Sequence, residues 1–334
     1  MAFARIREGG GTSPLLRWAL IAVAIALAQW TYQYIERPVR LGANRMKSTA
    51  VAAVAVAALG LVGLQVFKTG DLFFLRISPV TVVNRGDIGQ NDFQEYLDEH
   101  FSLCDVRLFR RQSGSRDGDG LCRQSSPNGV PQIVILGDSH AEHLFPGLAE
   151  ALPGRNVGYY WANALPFLDD PHFSSIYRSL AKETGVKTVV LSAFWVNRIR
   201  GLDRGVSMRA EMTRAVRFLR DAGKTVVVTD DILWFPFRPA LCKYAGRLGA
   251  PNRCEANISL LERQLGSYVG DLTAVVAANP GTRLIDTAHM LCSDSVCSMA
   301  ASSRLLYRDE DHLNINGSRL IGAKIIAADP DLAN

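Results

Sequence analysis

The N-terminal part of the chain contains two long apolar runs without a charged residue, over 18–35 and 48–67. Each run can cross about 30 Å of hydrocarbon as a helix. A buried core helix or a signal peptide also contains an apolar run. Two runs so close together, neither with a polar face, fit those alternatives poorly. We therefore predict a membrane hairpin over residues 1–67, with transmembrane helices at about 15–36 and 48–67.

The loop between the two runs sets the predicted orientation. It carries four basic residues and one acid: Arg37, Arg40, Arg45, Lys47 and Glu36. Short loops rich in Lys and Arg stay on the cytoplasmic side of a membrane. We therefore expect a bacterial inner-membrane protein whose residues after 67 lie in the periplasm, with the lipid bilayer as one partner.

Charge and composition exclude several classes of protein. The chain is 48% hydrophobic and 21% charged, which excludes collagen-like, coiled-coil and disordered chains. The formal charge is +5, but residues 1–47 hold seven Arg and Lys against two acids, so the remainder is balanced. A nucleic-acid partner requires a basic patch on the folded domain, so we expect none.

The cysteines support export. All six lie after the second apolar run, which is typical of an oxidising compartment. Local spacing favours three pairs: Cys104 with Cys122, Cys242 with Cys254, and Cys292 with Cys297. None has the CxxC spacing of a zinc ribbon, and scattered free thiols are the alternative.

From residue 129 onward, short apolar runs alternate with helical patterns. The predicted strands lie at 133–136, 156–161, 186–195, 224–230 and 282–287, and the predicted helices near 207–222, 256–278 and 316–328. This alternation predicts an α/β domain over 129–334, with a parallel sheet between helices on both faces. Residues 68–128, with a polar Gly/Ser/Arg stretch, are interpreted as an exported linker with a partly ordered extension.

A first candidate site follows the first strand of this domain, where Gly137-Asp138-Ser139 precedes a helix. Active sites of open α/β sheets collect at the carboxyl ends of strands, and a helix N-terminus offers backbone N–H groups to an oxyanion. Ser139 is therefore placed as a nucleophile would be. The alternative is a capping box, with Ser139 as N-cap and Glu142 three residues later.

A second candidate site lies directly before the last helix, at Asp309 and His312. A serine nucleophile needs a base, and the base needs a carboxylate to fix its tautomer. An Asp three residues before a His supplies both in one segment. The alternative is a solvated acidic loop in which His312 hydrogen-bonds locally.

Together the Gly-Asp-Ser and Asp-x-x-His-Leu segments resemble the first and last blocks of the SGNH hydrolase family. The resemblance covers about 129–330 and implies a flavodoxin-like three-layer sandwich. It also implies a triad in which Ser139 is the nucleophile, His312 the general base and Asp309 the orienting carboxylate. Asp311 is a weaker alternative for the orienting role.

The family's other two blocks, a Gly after the second strand and an Asn after the third, are matched poorly. The candidate oxyanion donors are the Ser139 backbone, Asn163, Trp195 and Asn197. His140 and His143 lie at metal-ligand spacing, but no third ligand is evident, so no metal is predicted. Nucleotide-binding glycine motifs are absent, so no cofactor is predicted. Trp161, Trp195 and Trp234 are interpreted as core residues rather than a sugar-stacking surface.

The end of the first apolar run carries a second resemblance. Tyr34-Ile35-Glu36-Arg37-Pro38-Val39-Arg40 looks like the end of the last helix in the acyltransferase-3 membrane family. Some members continue through one more membrane helix into an exported SGNH domain, and they O-acetylate envelope polysaccharides. The family's roughly ten-helix bundle has no counterpart here, which implies that sequence upstream of Met1 or a partner chain supplies it.

The resemblances imply a membrane-anchored periplasmic acyltransferase. It would pass an acyl group, by expectation acetyl, through a serine ester to a carbohydrate hydroxyl. The alternatives are an esterase or deacetylase of acylated glycans, and a non-catalytic domain that positions glycan for a partner membrane acyltransferase.

Overall fold

The computed structural model describes residues 14–41, 45–69, 90–104, 121–203, 205–239, 242, 254–302 and 304–333. The chain divides into two units, one of residues 1–85 with 240–253 and one of residues 86–239 with 254–334. Much of the predicted linker, at 70–89 and 105–120, lies outside the described residues.

The described residues of the first unit form the helices α1 (Pro14–Leu41) and α2 (Arg45–Thr69). Among the described helices, α1 alone is long and apolar enough to cross a membrane. The apolar part of α2, Thr49–Gln65, is shorter. The structure therefore contains a helix that is long and apolar enough for the first predicted transmembrane span, whereas the second predicted span stays a prediction.

The second unit contains the strands and the remaining helices. The strands are β1 (Ser102–Leu103), β2 (Leu121–Gln124), β3 (Ile133–Gly137), β4 (Val157–Trp161), β5 (Thr188–Ser192), β6 (Thr225–Thr229), β7 (Glu255–Asn257), β8 (Arg283–Ile285), β9 (Val296–Ser298), β10 (Ala300–Ala301) and β11 (Arg304–Leu305). The helices are α3 (Gln90–His100), α4 (Ser139–Ala151), α5 (Ser174–Lys182), α6 (Trp195–Arg198), α7 (Met208–Asp221), α8 (Ile258–Leu265), α9 (Val269–Ala277) and α10 (Ile315–Ala328).

Seven strands form the main sheet in the order β1-β2-β4-β3-β5-β6-β8. The five strands from β4 to β8 in this order are parallel, as predicted, whereas β2 and β1 add to the edge antiparallel. The sheet is therefore mixed rather than wholly parallel. The two antiparallel strands come from the segment interpreted as linker and extension, so the sheet begins earlier in the chain than the apolar runs indicate.

The order of the parallel strands locates the switch point of the fold. From β3 the chain moves to β4 on one side and then to β5 on the other. Ligands of such sheets bind at the carboxyl end where this reversal occurs. Gly137, the last residue of β3, pairs with Trp161 on β4 and Ser192 on β5. Ser139 therefore lies at the switch point.

Helices pack on the sheet in two groups, α4 with α10 and α7 with α5 and α9. Crossovers between parallel strands are right-handed as a rule, so with this strand order the two groups lie on opposite faces of the sheet and the fold has three layers. The strand between them is fully buried, since Ile133 to Leu136 are at most 4% exposed. The fold is thus the predicted α/β sandwich.

Helices α4 and α10 approach each other closely because glycines lie at their crossing. A Cβ on Gly147 would lie 1.8 Å from the Ser318 carbonyl oxygen, and one on Gly322 would lie 2.3 Å from the Gly147 carbonyl carbon. The Gly147 N–H also donates to Ser318 Oγ at 2.8 Å. The crossing fixes the helix that begins at Ser139 against the helix that follows His312.

The disulfide prediction is confirmed for two pairs, Cys104–Cys122 and Cys292–Cys297. Cys242 and Cys254 are disulfide-bonded as well, and none of the six cysteines is free. The alternative of scattered free thiols is therefore wrong.

Candidate active site

Ser139 is the first residue of α4, and its neighbour Asp138 caps that helix. Asp138 has an extended backbone, and its Oδ1 accepts from the His140 N–H at 2.9 Å. The capping-box alternative is therefore wrong. Glu142 instead accepts hydrogen bonds from Gln94 and Tyr159. The Ser139 hydroxyl is left for another partner.

That partner is His312, so the structure brings the two candidate segments together. His312 Nε2 lies 2.8 Å from Ser139 Oγ across 173 residues of sequence. On the other side of the ring, Nδ1 lies 2.9 Å from Asp309 Oδ2 and 3.0 Å from Oδ1. Asp311 Oδ1 also lies 2.9 Å from Nδ1. Both aspartates considered from the sequence thus contact His312.

The turn that carries His312 is organised by Asp309. Its Oδ1 accepts from the backbone N–H groups of His312 at 2.7 Å and Asp311 at 3.1 Å. The Arg308 N–H closes the turn by donating to the His312 carbonyl at 2.9 Å. One carboxylate therefore shapes the turn and contacts the imidazole that the turn presents.

The pKa values of this cluster are shifted by mutual hydrogen bonds. Burial acts to lower the pKa of His312, but its hydrogen bonds with Asp309 and Asp311 outweigh burial and raise the pKa to about 9. Burial acts to raise the pKa of Asp309, but the hydrogen bond and charge of His312 outweigh it and hold this pKa below its ordinary value. The cluster favours a charged imidazolium beside a charged carboxylate.

We expect kcat/KM for an acyl donor to rise with pH up to about 9, because only neutral His312 can accept the Ser139 proton. Asp311→Asn removes one of the anions that raise the His312 pKa. The rising limb of its pH profile should therefore move to lower pH. A profile of kcat/KM from pH 6 to 10 for both proteins measures the shift, and an unmoved limb would contradict the assigned charge effect.

The four candidate oxyanion donors differ in their surroundings. Trp195 is fully buried, its indole N–H donates to the Thr229 carbonyl at 3.0 Å, and its backbone N–H donates to the Ala193 carbonyl. Both N–H groups of Trp195 therefore have acceptors within the protein, so Trp195 is not an oxyanion donor. Ser139 is the first residue of α4, and among the described residues no group accepts a hydrogen bond from its backbone N–H.

The other two candidates lie on the loops that follow β4 and β5. Asn163 is exposed, and its Oδ1 accepts from Arg198 at 2.6 Å. Asn197 lines a cavity of about 270 Å³ between these loops. The cavity is lined by Leu165, Phe167, Asp170, Asn197, Arg198, Gly201 and Leu202.

Sequence reasoning missed the contact between Asp138 and Arg198. The buried Asp138 carboxylate accepts from Arg198 Nε at 2.8 Å and from the Phe194 N–H at 3.1 Å. Arg198 also donates to the Asn163 carbonyl. These bonds join the loops after β3, β4 and β5. The only sequence signal was an acidic residue directly after a buried strand.

Sequence reasoning also missed a buried His–Asp pair, His140 with Asp231, which lies beside the pair formed by His312 and Asp309. His140 Nδ1 is 2.7 Å from Asp231 Oδ1, and both side chains are at most 4% exposed. Burial lowers the pKa of His140 to about 3, with the His312 charge adding to the effect, and burial raises the pKa of Asp231. The His140 ring stacks on Phe194 with centroids 4.2 Å apart and lies 5.0 Å from the His312 ring.

The histidines that suggested a metal have other contacts. His143 Nδ1 accepts from the Leu313 N–H at 3.4 Å. His140, Asp311 and His312 place one ligand atom each within 4.8 Å of one another. Because His312 already contacts Ser139 and Asp309, this group belongs to the same site and we assign it no separate role.

Helix α3, from the segment interpreted as linker, packs beside the turn that carries His312. The Arg308 guanidinium lies over the Phe93 ring, 3.9 Å from its centroid, and 3.8 Å from Glu142 Oε2. Arg308 is buried, so this cation depends on the aromatic face and the carboxylate for stabilisation. Residues 90–100 therefore contribute to the surroundings of the site.

The described geometry defines a class of protein: an α/β sandwich with a serine, a histidine and a carboxylate in one hydrogen-bonded chain at the switch point. Residues 107–327 match the model of the family described as "SGNH domain (fused to AT3 domains)". The chain belongs to this family. The match begins earlier than the resemblance seen from the sequence motifs.

The chain resembles seven chains of solved structures, among them the following two. The periplasmic domain of a lipopolysaccharide acetyltransferase from Salmonella ser. Paratyphi A is 15% identical, with a TM-score of 0.46, over 61% of this chain and 85% of that one. A Bacteroides fragilis protein described as an acylhydrolase is 12% identical, with a TM-score of 0.34, over 74% and 99%. At these scores neither activity is carried over. No curated protein matches the chain.

Proposed function

We propose that this protein is a membrane-anchored periplasmic O-acyltransferase. In this proposal an acyl group, in the simplest case acetyl, is held as an ester on Ser139 and passed to a carbohydrate hydroxyl. Membership of the family of SGNH domains fused to AT3 domains supports acyl chemistry. The observation that carries the proposal is the chain from Ser139 Oγ through His312 to Asp309.

In the first half-reaction, His312 Nε2 takes the hydroxyl proton as Ser139 Oγ attacks the donor's acyl carbon. Asp309 accepts a hydrogen bond from the Nδ1–H of His312, which fixes the imidazole tautomer and stabilises the imidazolium. The tetrahedral oxyanion is proposed to accept from the Ser139 N–H, with Asn163 and Asn197 as further candidate donors. His312 returns the proton to the leaving group, and the acyl ester remains on Ser139.

In the second half-reaction, His312 removes the proton from the acceptor hydroxyl as its oxygen attacks the Ser139 ester. Collapse of the second intermediate breaks the bond to Oγ, and His312 returns the proton to Ser139. Water in place of the carbohydrate gives ester hydrolysis by the same steps. The esterase or deacetylase alternative therefore differs only in the acceptor, and exclusion of water decides between the two.

The proposed location rests on the N-terminal unit and on the family. Helix α1 is long and apolar enough to span a membrane, and the segment between the two apolar runs, at the end of α1 and the start of α2, is basic. We propose a membrane hairpin over 1–67, a linker and extension over 68–128, and an exported domain over 129–334 to which β1, β2 and α3 add. The acyl donor would come from an acyltransferase-3 bundle, in accord with the family's fusion to such domains.

The proposal is tested with the full chain in membranes, an activated acetyl ester and a panel of oligosaccharides. We expect acetylated oligosaccharide, detected by mass spectrometry, in addition to free acetate. Asn163→Ala serves as a companion variant, and its turnover should fall if that side chain contributes to the oxyanion site. Acetate without acetylated sugar would favour the esterase. If neither acetylated sugar nor acetate forms, the result would favour the non-catalytic positioning domain.

A further inference from the structure

Trp234 differs from the other large apolar side chains of the second unit. Among the described residues of the second unit, three large hydrophobic side chains are exposed: Leu103, Val206 and Trp234. Trp234 is the aromatic one of these three. It is 37% exposed, whereas Trp195 is fully buried. Trp234 is thus not a core residue, contrary to the interpretation from sequence. A single exposed apolar side chain is ordinary, so its significance depends on how it is held and where it lies.

The backbone of Trp234 is held by one side chain of α8. Gln264 Oε1 accepts from the Trp234 N–H at 3.0 Å, and Gln264 Nε2 donates to the Trp234 carbonyl at 2.7 Å. The Trp234 ring meets Phe194 edge to face, with centroids 6.2 Å apart and planes at 88°. The indole is therefore preorganised, which lowers the entropy cost of binding a ligand on it.

Trp234 is joined to the candidate site by two routes. Phe194, its ring neighbour, stacks on His140, and the His140 ring lies 5.0 Å from the His312 ring. The next residue, Phe235, donates its N–H to the Glu310 carbonyl at 2.8 Å, within the turn that presents His312. The exposed indole therefore lies at the rim of the site that contains Ser139.

The surroundings of the indole fit a sugar ring better than an acyl chain. An acyl chain requires a buried apolar pocket, whereas Trp234 is exposed, and the residue after it donates its N–H to the Glu310 carbonyl. Arg238 and Glu310 form an ion pair with 2.8 Å between Nε and Oε1, and the Arg238 side chain is 77% exposed. A pyranose has an apolar C–H face that packs on an aromatic ring, and its hydroxyls extend to such polar groups at the edge.

We propose that Trp234 is the platform on which a pyranose ring of the carbohydrate acceptor stacks, with Arg238 and Glu310 facing its hydroxyls. This inference rests on the proposed function and adds the position of the acceptor subsite and the ring form of the sugar that it binds. It separates two subsites, since a small acyl donor needs Ser139 and His312 but not the indole. The step itself remains the transfer from the Ser139 ester to the sugar hydroxyl described above.

The test compares Trp234→Ala, Trp234→Phe and Val206→Ala in the full chain. Hydrolysis of a small activated acetyl ester should be unchanged in all three. For acetyl transfer to oligosaccharides, Trp234→Ala should raise the acceptor KM about tenfold or more, and Trp234→Phe should restore most of the loss. Val206, exposed but without a ring, should change neither reaction.

Direct binding separates failure of this inference from failure of the proposed function. Oligosaccharides of hexose, N-acetylhexosamine and deoxyhexose are titrated into the Ser139→Ala chain, which cannot form the ester, and into the same chain with Trp234→Ala. Weaker binding in the double variant supports the platform even if no transfer is detected. Equal binding, no binding of any of these sugars, or loss of ester hydrolysis in Trp234→Ala would overturn it.

Discussion

Ser139→Ala is expected to abolish covalent labelling by a serine-directed fluorophosphonate and to lower acyl turnover by roughly 10⁴-fold or more. The variant removes the oxygen that lies 2.8 Å from His312 Nε2 and leaves the helix cap on Asp138 intact. The fold should therefore be preserved. Labelling is measured by intact-protein mass spectrometry, and turnover by release of acetate from an activated ester.

Ser207→Ala is the matched control. Ser207 is exposed and caps α7 through the Ala210 N–H, so its loss should cost about 1 kcal/mol of stability. Labelling and turnover should stay at the parent level because this serine takes no part in the proposed chemistry. Undiminished labelling of Ser139→Ala would contradict the nucleophile assignment. If that variant still acylates glycan in cells, the positioning-domain alternative gains support.

The second large effect concerns the two aspartates at His312. We expect Asp309→Asn to lower turnover by about 10³ to 10⁴-fold and Asp311→Asn to change it by less than about tenfold. Asp309 places both oxygens within 3.0 Å of Nδ1, whereas one Asp311 oxygen lies at 2.9 Å. An Asn amide at position 309 presents an N–H to Nδ1, which favours the wrong imidazole tautomer.

The comparison is informative because Asn can still form the turn. Its side-chain oxygen can accept from the backbone N–H groups of His312 and Asp311, as Asp309 Oδ1 does. A loss of turnover with an unchanged melting temperature would then report on tautomer and charge rather than on folding. His312→Ala should lose about as much turnover as Ser139→Ala. A larger loss in Asp311→Asn than in Asp309→Asn would assign the orienting role to Asp311.

Most elements of the α/β domain could be predicted from the sequence, because their signals are local. The strands at 133–136, 156–161 and 224–230 are short apolar runs, and the structure has β3, β4 and β6 at these places. The predicted helix at 256–278 is divided by a turn into α8 and α9. Edge strands β1 and β2 were missed because a two- or four-residue strand leaves little periodicity to detect.

The candidate site likewise contains residues that could be predicted from the sequence and residues that could not. Ser139 and His312 were found because each lies in a short segment whose residue types suit one chemical task. Asp309 was favoured over Asp311 from the resemblance, and both prove to contact the ring. The exposure of Trp234 could not be read from sequence, since an indole suits a core and a surface platform equally well.

The sequence by itself determined the α/β class, the apolar N-terminal runs and the two segments that carry Ser139 and His312. Periodicity, uncharged length and motif spacing are properties of neighbouring residues, so they can be read without a fold. Only the tertiary structure decided that Asp138 binds Arg198 and that His140 binds Asp231. These partners lie 60 and 91 residues apart, and both contacts exist because parallel strands bring their carboxyl ends to one edge of the sheet.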